Sequence, residues 1–540
     1  MHKLLSLLFA CCILTSFSSC AQQGPAAPVI TIIHTNDTHS QIEPGRTRQG
    51  VVQGGVVERA AMLEYYRQQD PDLLYLDAGD MIQGSPYFNI FNGELEMLCF
   101  NQQQLLATTL GNHEFDNGLD FIRQLIATAD FPILSCNYHC EGTVLEGLIR
   151  PHLITERHGV KIGITGVTVS PEGLIAHRNW EGITFEDPRT AVNREAALLR
   201  DEGCDLVIVL SHLGYLPPSD TGSDSKKKPA ADADADRNVL DNDLVPAIRG
   251  VDIIIGGHTH YNIEQGVYIN DADDHPVLVT QTGGKIMPMG YLKVTFGRGS
   301  RYPKCNYSVE TIECRKLHAS DHDLSAFGDG MRRLIAPYQD SLVSQMNVRL
   351  ATAPEALVKG KPQSTLGNFV ADAYLQIGRK KTGRNVEFAI TNLGGLRADI
   401  EAGNVTLGTM FNIFPFENKI VVLGLKGRDL RQLIESNAGR KLDATAGAVI
   451  TLAMDGDRCI ASSILIGGRP IDPDKTYYVA TLDFLAEGNS GMSALTRAVE
   501  TIDPNISARD AMIEYVKELD AAGKTVSAKI DGRVIDKTKP

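Results

Sequence analysis

From Val29 to about Gly283 the sequence is cut into short apolar runs, each ending in Gly, Asp, Asn or His and giving way to polar or helical sequence. Few folds accept that pattern. VITIIHT, LLYLD, ATTL, FPILS, VKIGITGV, DLVIVLS, VDIIIG and PVLVTQ read as strands, and several are apolar at consecutive positions, so both their faces must be covered. The alternation predicts an α/β domain of layered sheets, a β-sandwich with flanking helices. Residues 54–69, with Val57, Ala60, Ala61 and Tyr65 at helical spacing, predict the first crossing helix.

Ligand-type residues gather where these runs end, the place where open α/β sheets carry their functional loops. They are Asp37 and His39, Asp80 in DAGD, Asn112, His113 and Asp116 in GNHEFD, His212 in SHLG, and His258 and His260 in GGHTH. A lone histidine after a strand is more often a hydrogen-bonded structural residue, and a lone aspartate there more often caps a helix. Five clusters in one domain exceed that explanation. Imidazoles, carboxylates and an amide are the donor set for divalent ions such as Mn, Zn, Co or Fe, and Asp80 is the natural bridge between two of them. Gly79, Gly111 and Gly257 beside the ligands let the backbone turn tightly.

D-x-H, G-D, G-N-H-E and G-H-x-H in this order resemble the metallophosphoesterases, and HTND with GNHEFD resembles the branch of bacterial 5'-nucleotidases and UDP-sugar hydrolases. The resemblance implies two divalent metal ions, with Asp37, His39 and His260 on one, Asn112, His212 and His258 on the other, and Asp80 shared. It makes His113 the catalytic histidine, oriented by Asp116. The fold it implies is the metallophosphoesterase sandwich followed by a second α/β domain that binds substrate.

GNFVADA, TNLGGLR, FPFEN and DFLAEGNSGM, between Gly367 and Met492, resemble that second domain. Phe416 and Phe484 match the aromatic pair that sandwiches the base, Asn392 and Asn418 would read base or ribose edges, and Arg397 would pair with phosphate or carboxylate. Either ring could instead be core, although each sits beside loop-forming Pro, Gly or Asn. Ser490 stands where related enzymes hold the ribose with an acidic residue, and Lys359-Gly360-Lys361-Pro362 stands where an arginine often occurs. Asn368 and Asp372 read as helix-cap and scaffold residues.

With 540 residues the chain exceeds one core. Expected limits are 28–318 for the catalytic domain, 319–352 for a connecting helix, and 353–535 for the substrate-binding domain. Residues 217–238, rich in Ser, Asp, Lys, Pro and Ala, read as a disordered insertion. The formal charge of −14 argues against nucleic-acid polymers as partners. Lys3, the apolar stretch from Leu4 to Phe17, and Ser18-Ser19-Cys20 resemble a lipoprotein signal covering 1–20, with Phe17 in place of the usual leucine. That resemblance implies export and a lipid on Cys20 as the sole membrane attachment, within the bacterial cell envelope. Beyond Cys20, Cys136 with Cys140 and Cys305 with Cys314 are near enough in sequence to pair; buried, unpaired thiols are the default for Cys99 and Cys204.

The expected activity is release of phosphate from nucleotides. UDP-sugar or dinucleotide pyrophosphate cleavage, 2',3'-cyclic nucleotide hydrolysis or a sulfur ester would use the same site. A surface binding protein with a vestigial metal site is the rival from another class, and intact His113 and Asp116 weigh against it.

Overall fold

The computed structural model describes residues 27–46, 52–172, 174–175, 177–217, 239–285, 288–416, 418–456 and 458–538. The signal segment 1–20 and all but residue 217 of the expected insertion lie outside them. Each of the eight expected runs contains a strand, from Val29–Thr35 to Pro276–Gln281. They fall into two six-stranded sheets. In the first, Val29–Thr35, Leu74–Asp77, Ala107–Thr109 and Ile133–Leu134 lie parallel in chain order. In the second, Val160–Thr168, Leu206–His212, Ile253–Gly256 and Pro276–Gln281 do the same.

Side-chain alternation decides how the sheets pack. Ile30, Ile32, Leu74 and Leu76 of the first sheet meet Ile162, Ile164, Leu206, Ile208, Leu210, Ile253 and Ile255 of the second in one buried core. Their neighbours point the other way: Ile33 packs on Met62, Leu63 and Tyr66 of the helix Val56–Gln69, and Val207 and Val209 pack on the helix Pro188–Asp201. Strands covered on both sides must be apolar at every position, hence the runs. Each such side chain withdrawn from water contributes about 1.5–3 kcal/mol. The hairpin Met289–Arg298 and Tyr307–Leu317, absent from the sequence expectation, extends the first sheet antiparallel to Val29–Thr35.

The expected connecting helix is Asp329–Met346. Met331 and Ile335 pack among Val56, Ala60, Leu95 and Cys99, and Gln339 Nε2 donates to Glu43 Oε1 at 2.8 Å, so the helix is docked on the first unit. The next strand, Arg349–Ala353, pairs with Gly403–Thr406, so the second unit begins before the expected position 353. Its five-stranded mixed sheet runs Ala444–Ala446, Val386–Thr391, Thr476–Leu482, Ile420–Lys426, Glu500–Ile502, with the helix Thr365–Thr382 against it. A four-stranded sheet lies beside it.

Two expectations change. Cys99, Cys136, Cys140, Cys204, Cys305, Cys314 and Cys459 are all free thiols, so neither possible pairing forms. Ser364 Oγ, accepting from Gly367 N, caps the helix Thr365–Thr382; Asn368 and Asp372 lie inside it.

Candidate active site

Parallel strands from both sheets end at one edge of the sandwich, and their exit loops meet there. Asp37 N donates to Gly79 O (2.9 Å), His39 N to Asp80 O (3.0 Å) and Ser40 N to Met81 O (3.0 Å), so the first two loops zip together beyond their strands. Asp37, His39, Asp80, His258 and His260 all have positive φ, from 44° to 71°. Asp and His are among the few side chains that tolerate this region, at about 1–3 kcal/mol each when held there. A Cβ on Gly111 would come within 2.1 Å of Asp80 Oδ1, which makes glycine obligatory at that close approach.

The side chains converge accordingly. His260 Nε2 lies 3.2 Å from Asp37 Oδ1 and 2.9 Å from His39 Nε2, and His39 Nε2 lies 3.8 Å from Asp80 Oδ2. His212 Nε2 is 3.1 Å from Asp80 Oδ2 and 3.9 Å from Asp37 Oδ1, and His39 Nε2 is 4.0 Å from Asp37 Oδ1, so Asp37 faces three imidazoles and Asp80 two. Asn112 Oδ1 meets His258 Nδ1 at 2.9 Å, and the His258 and His212 rings are 5.3 Å apart. All seven ligands expected from sequence are thus brought together.

Burial pushes the Asp37 and Asp80 carboxyls up, but the facing imidazoles outweigh it and hold both below the ordinary range. Burial lowers His39 and His258 to about 4, leaving them neutral, the form in which an imidazole can bind a metal. His212 moves oppositely: burial would lower it, yet Asp80 and Asp37 raise it to about 10. Two buried carboxylates demand positive charge, which one imidazolium supplies in part and divalent cations supply better. His212 donates through Nδ1 to Ala78 O at 2.7 Å, while its Nε2 is buried without a hydrogen-bond partner and faces Asp80. This orphaned nitrogen, and a donor set of imidazole, carboxylate and amide oxygen, fit divalent metal.

His113 stands at the rim. Its N–H donates to Asp80 Oδ1 (2.9 Å), and its Nδ1 lies 2.7 Å from Asp116 Oδ2. Burial opposes protonation of the ring, but Asp80 and Asp116 together raise it to about 9. One of its ring nitrogens clusters with His39 and Asp80 ligand atoms within 4.8 Å.

Two buried residues had no place in the sequence expectation. Glu114 accepts the N–H groups of Asp80 (3.1 Å), Met81 (2.9 Å) and Gly111 (2.6 Å), tying two ligand loops through one carboxylate. Burial raises that carboxyl to about 7, with the charge of Asp80 adding to it. Asn36 donates to Asp37 Oδ2 (2.5 Å) and Thr282 O (2.9 Å) and accepts from Thr282 N (2.7 Å). Both lie inside the sequence motifs, Glu114 in GNHEFD and Asn36 in HTND, but the motifs gave them no role.

In the second unit, Phe416 and Phe484 are 44% and 40% exposed, so neither is a core ring. The Arg397 guanidinium lies 5.6 Å from the centroid of the Phe416 ring. Asn392 Nδ2 donates to Ser490 Oγ at 3.3 Å, and Asn489, next to Ser490, donates to Phe484 O at 2.8 Å. Asn418 contributes its carbonyl to Ala508 N (2.7 Å).

A two-sheet sandwich that gathers carboxylates and imidazoles from the ends of both its sheets is the framework of a metal-dependent phosphoesterase. Residues 30–262 match the calcineurin-like phosphoesterase family, and residues 346–497 match the 5'-nucleotidase, C-terminal domain family. The chain is 26% identical to a snake venom 5'-nucleotidase of Crotalus adamanteus, over 94% of this chain and 88% of that protein. It is 27% identical to the trifunctional nucleotide phosphoesterase protein YfkN of Bacillus subtilis (strain 168), across 94% of this chain but 35% of YfkN, so it spans about a third of that relative. Among solved structures, a 5'-nucleotidase precursor from Thermus thermophilus superposes with a TM-score of 0.64 at 25% identity, covering 95% of this chain and 100% of that one. The chain belongs to the 5'-nucleotidase type of metallophosphoesterase and is a phosphoric ester hydrolase.

Proposed function

We propose that the protein releases phosphate from nucleotides, most simply from 5'-nucleoside monophosphates, with two divalent ions among Mn, Zn, Co and Fe. The observation that carries this reading is the gathering of His39, His212 and His260 around buried Asp37 and Asp80, with Asn112 and His258 beside them, joined in one chain to a unit with two exposed phenylalanines. Asp37, His39 and His260 would hold one ion, Asn112, His212 and His258 the other, and Asp80 both. When bound, the ions supply Lewis acidity that polarises the phosphoryl group and acidifies the attacking water.

The chain's own residues do the rest. Asp116 holds Nδ1 of His113, which leaves Nε2 to offer a proton toward charge that builds on the transferring group or leaving oxygen. Phe416 and Phe484 grip the base, worth about 1–3 kcal/mol per base, and Asn392, Arg397, Asn418 and Ser490 line the same unit. Ser490 offers one neutral hydrogen bond where a carboxylate would accept two charge-assisted ones, so ribose discrimination is weak. Residues 28–318 act as the catalytic domain and the residues from 349 onward as the substrate-binding one.

A panel of nucleoside monophosphates, cyclic nucleotides and nucleotide sugars, with free phosphate measured, tests the proposal. Fastest release from 5'-monophosphates is the expected result, and inertness toward all nucleotides with turnover of another phosphate ester overturns it. No helix among the described residues is long and apolar enough to cross a membrane. Export with a lipid on Cys20 is read from sequence alone; metabolic labelling with a fatty acid should mark wild type and spare Cys20→Ala.

A further inference from the structure

The short turn His177–Asn179 lies outside the ligand nest, yet it touches both halves of the molecule. On the catalytic side Asn179 Nδ2 donates to Asp116 O at 2.8 Å, and a Cβ on Gly118 would lie 3.9 Å from Asn179 Cα. The turn is therefore braced on the loop that aims His113. On the other side Arg178 Nη1 donates to Asp503 Oδ2 at 2.7 Å, across 325 positions of sequence. Asp503 directly follows the edge strand Glu500–Ile502 of the second unit. Burial raises the nearby Asp483 carboxyl to about 6, with the Asp503 charge adding to the rise and the Arg178 guanidinium opposing it. Asp483 Oδ1 in turn accepts the N–H groups of Phe484 (2.8 Å) and Lys419 (3.0 Å), so the carboxylate that feels the Arg178 charge is the one that holds the backbone of the exposed Phe484.

We infer that Arg178 is a positioning residue, which seats the base-gripping unit on the catalytic unit and sets the span from Phe484 to His113. The base-gripping role rests on the function proposed above; the seating does not. The pair is part-exposed, with 47% and 28% of the two side chains accessible, so its worth to global stability is small. Its place gives it another use. Removing the cation breaks the tie from Asp503 to the turn braced on Asp116, which frees that edge of the second unit from the loop that aims His113.

The test compares the metal-loaded wild type with Arg178→Ala on a 5'-nucleoside monophosphate and on p-nitrophenyl phosphate, a substrate too small to reach the second unit. KM for the nucleotide should rise roughly two- to five-fold at similar kcat, while the aryl phosphate is unaffected. Arg178→Asp alone should be worse, and Arg178→Asp combined with Asp503→Arg should recover most of the loss. Small-angle X-ray scattering should show a more open particle for Arg178→Ala than for wild type. Nucleotide kinetics equal to wild type, an equal loss on both substrates, or no rescue by the swapped pair overturns the inference. If wild type itself ignores nucleotides, the proposed substrate class fails and scattering decides: an unchanged curve overturns the seating role, and an opened particle supports it.

Discussion

Among single residues, the site separates groups that hold charge from groups that hold shape. Asp80 lies between His39 and His212 at the centre of the nest and also accepts the His113 N–H, whereas the His113 ring is held by Asp116 at the rim. His113→Asn should therefore lower kcat by roughly 10²- to 10⁴-fold with metal content intact, while Asp80→Asn should lose metal, as elemental analysis of both variants will show. Glu114 belongs to the second kind. Glu114→Gln replaces one acceptor oxygen by an N–H in a pocket already filled by three backbone donors, so it should cost about 1–3 kcal/mol of stability, read by denaturant melts, and weaken metal binding. The gathering of the seven candidate side chains was legible in the sequence because their chemistry is intrinsic to the side chain and strand ends place them. Glu114 and Asn36 were not, because their partners are backbone groups from loops that only the fold brings near.

Among the elements, the buried strands were the most legible. A strand covered on both faces must be apolar throughout, so each of the eight runs announces itself, whereas Tyr307–Leu317 is largely exposed or half-buried and carries no such mark. The C-terminal segment is another feature hidden from sequence reading. Arg533 donates to both oxygens of Asp372 at 2.8 Å and to Asp531 Oδ2 at 2.7 Å, pinning that segment to the helix Thr365–Thr382. Asp372 was expected as cap or scaffold, and the scaffold role is the one it fills. Arg533→Ala leaves a part-buried carboxylate without its bidentate partner and should destabilise the second unit, seen as an earlier melting transition by calorimetry. The Arg533 hydrogen bond holds Asp531 down at about 2. A carboxyl depressed on folding stabilises fully above its unfolded value, about 4, and loses that contribution as pH falls toward its folded value. The stability gap between wild type and Asp531→Asn should thus be constant near neutrality and close between pH 4 and pH 2.

Across the whole molecule, the proposed function sets phosphate chemistry in one unit and recognition of the nucleoside in the other. Phe416→Ala and Phe484→Ala should each reduce kcat/KM for nucleotides by about 1–3 kcal/mol while sparing p-nitrophenyl phosphate, a contrast steady-state kinetics can read directly. The two-unit organisation was legible in the change of motif along the chain. How the units meet was not, since Arg178 and Asp503 are ordinary surface charges until the fold sets them 2.7 Å apart. Everything proposed for the catalytic unit depends on Asp37, Asp80 and the five side chains around them holding two ions that the reaction needs. Metal titrated into exhaustively chelated protein, with phosphate release from a 5'-nucleoside monophosphate followed throughout, puts that dependence to the test. Turnover should be absent at the start and rise until it saturates at two equivalents; full turnover after chelation, or saturation at one equivalent, would contradict a two-ion site.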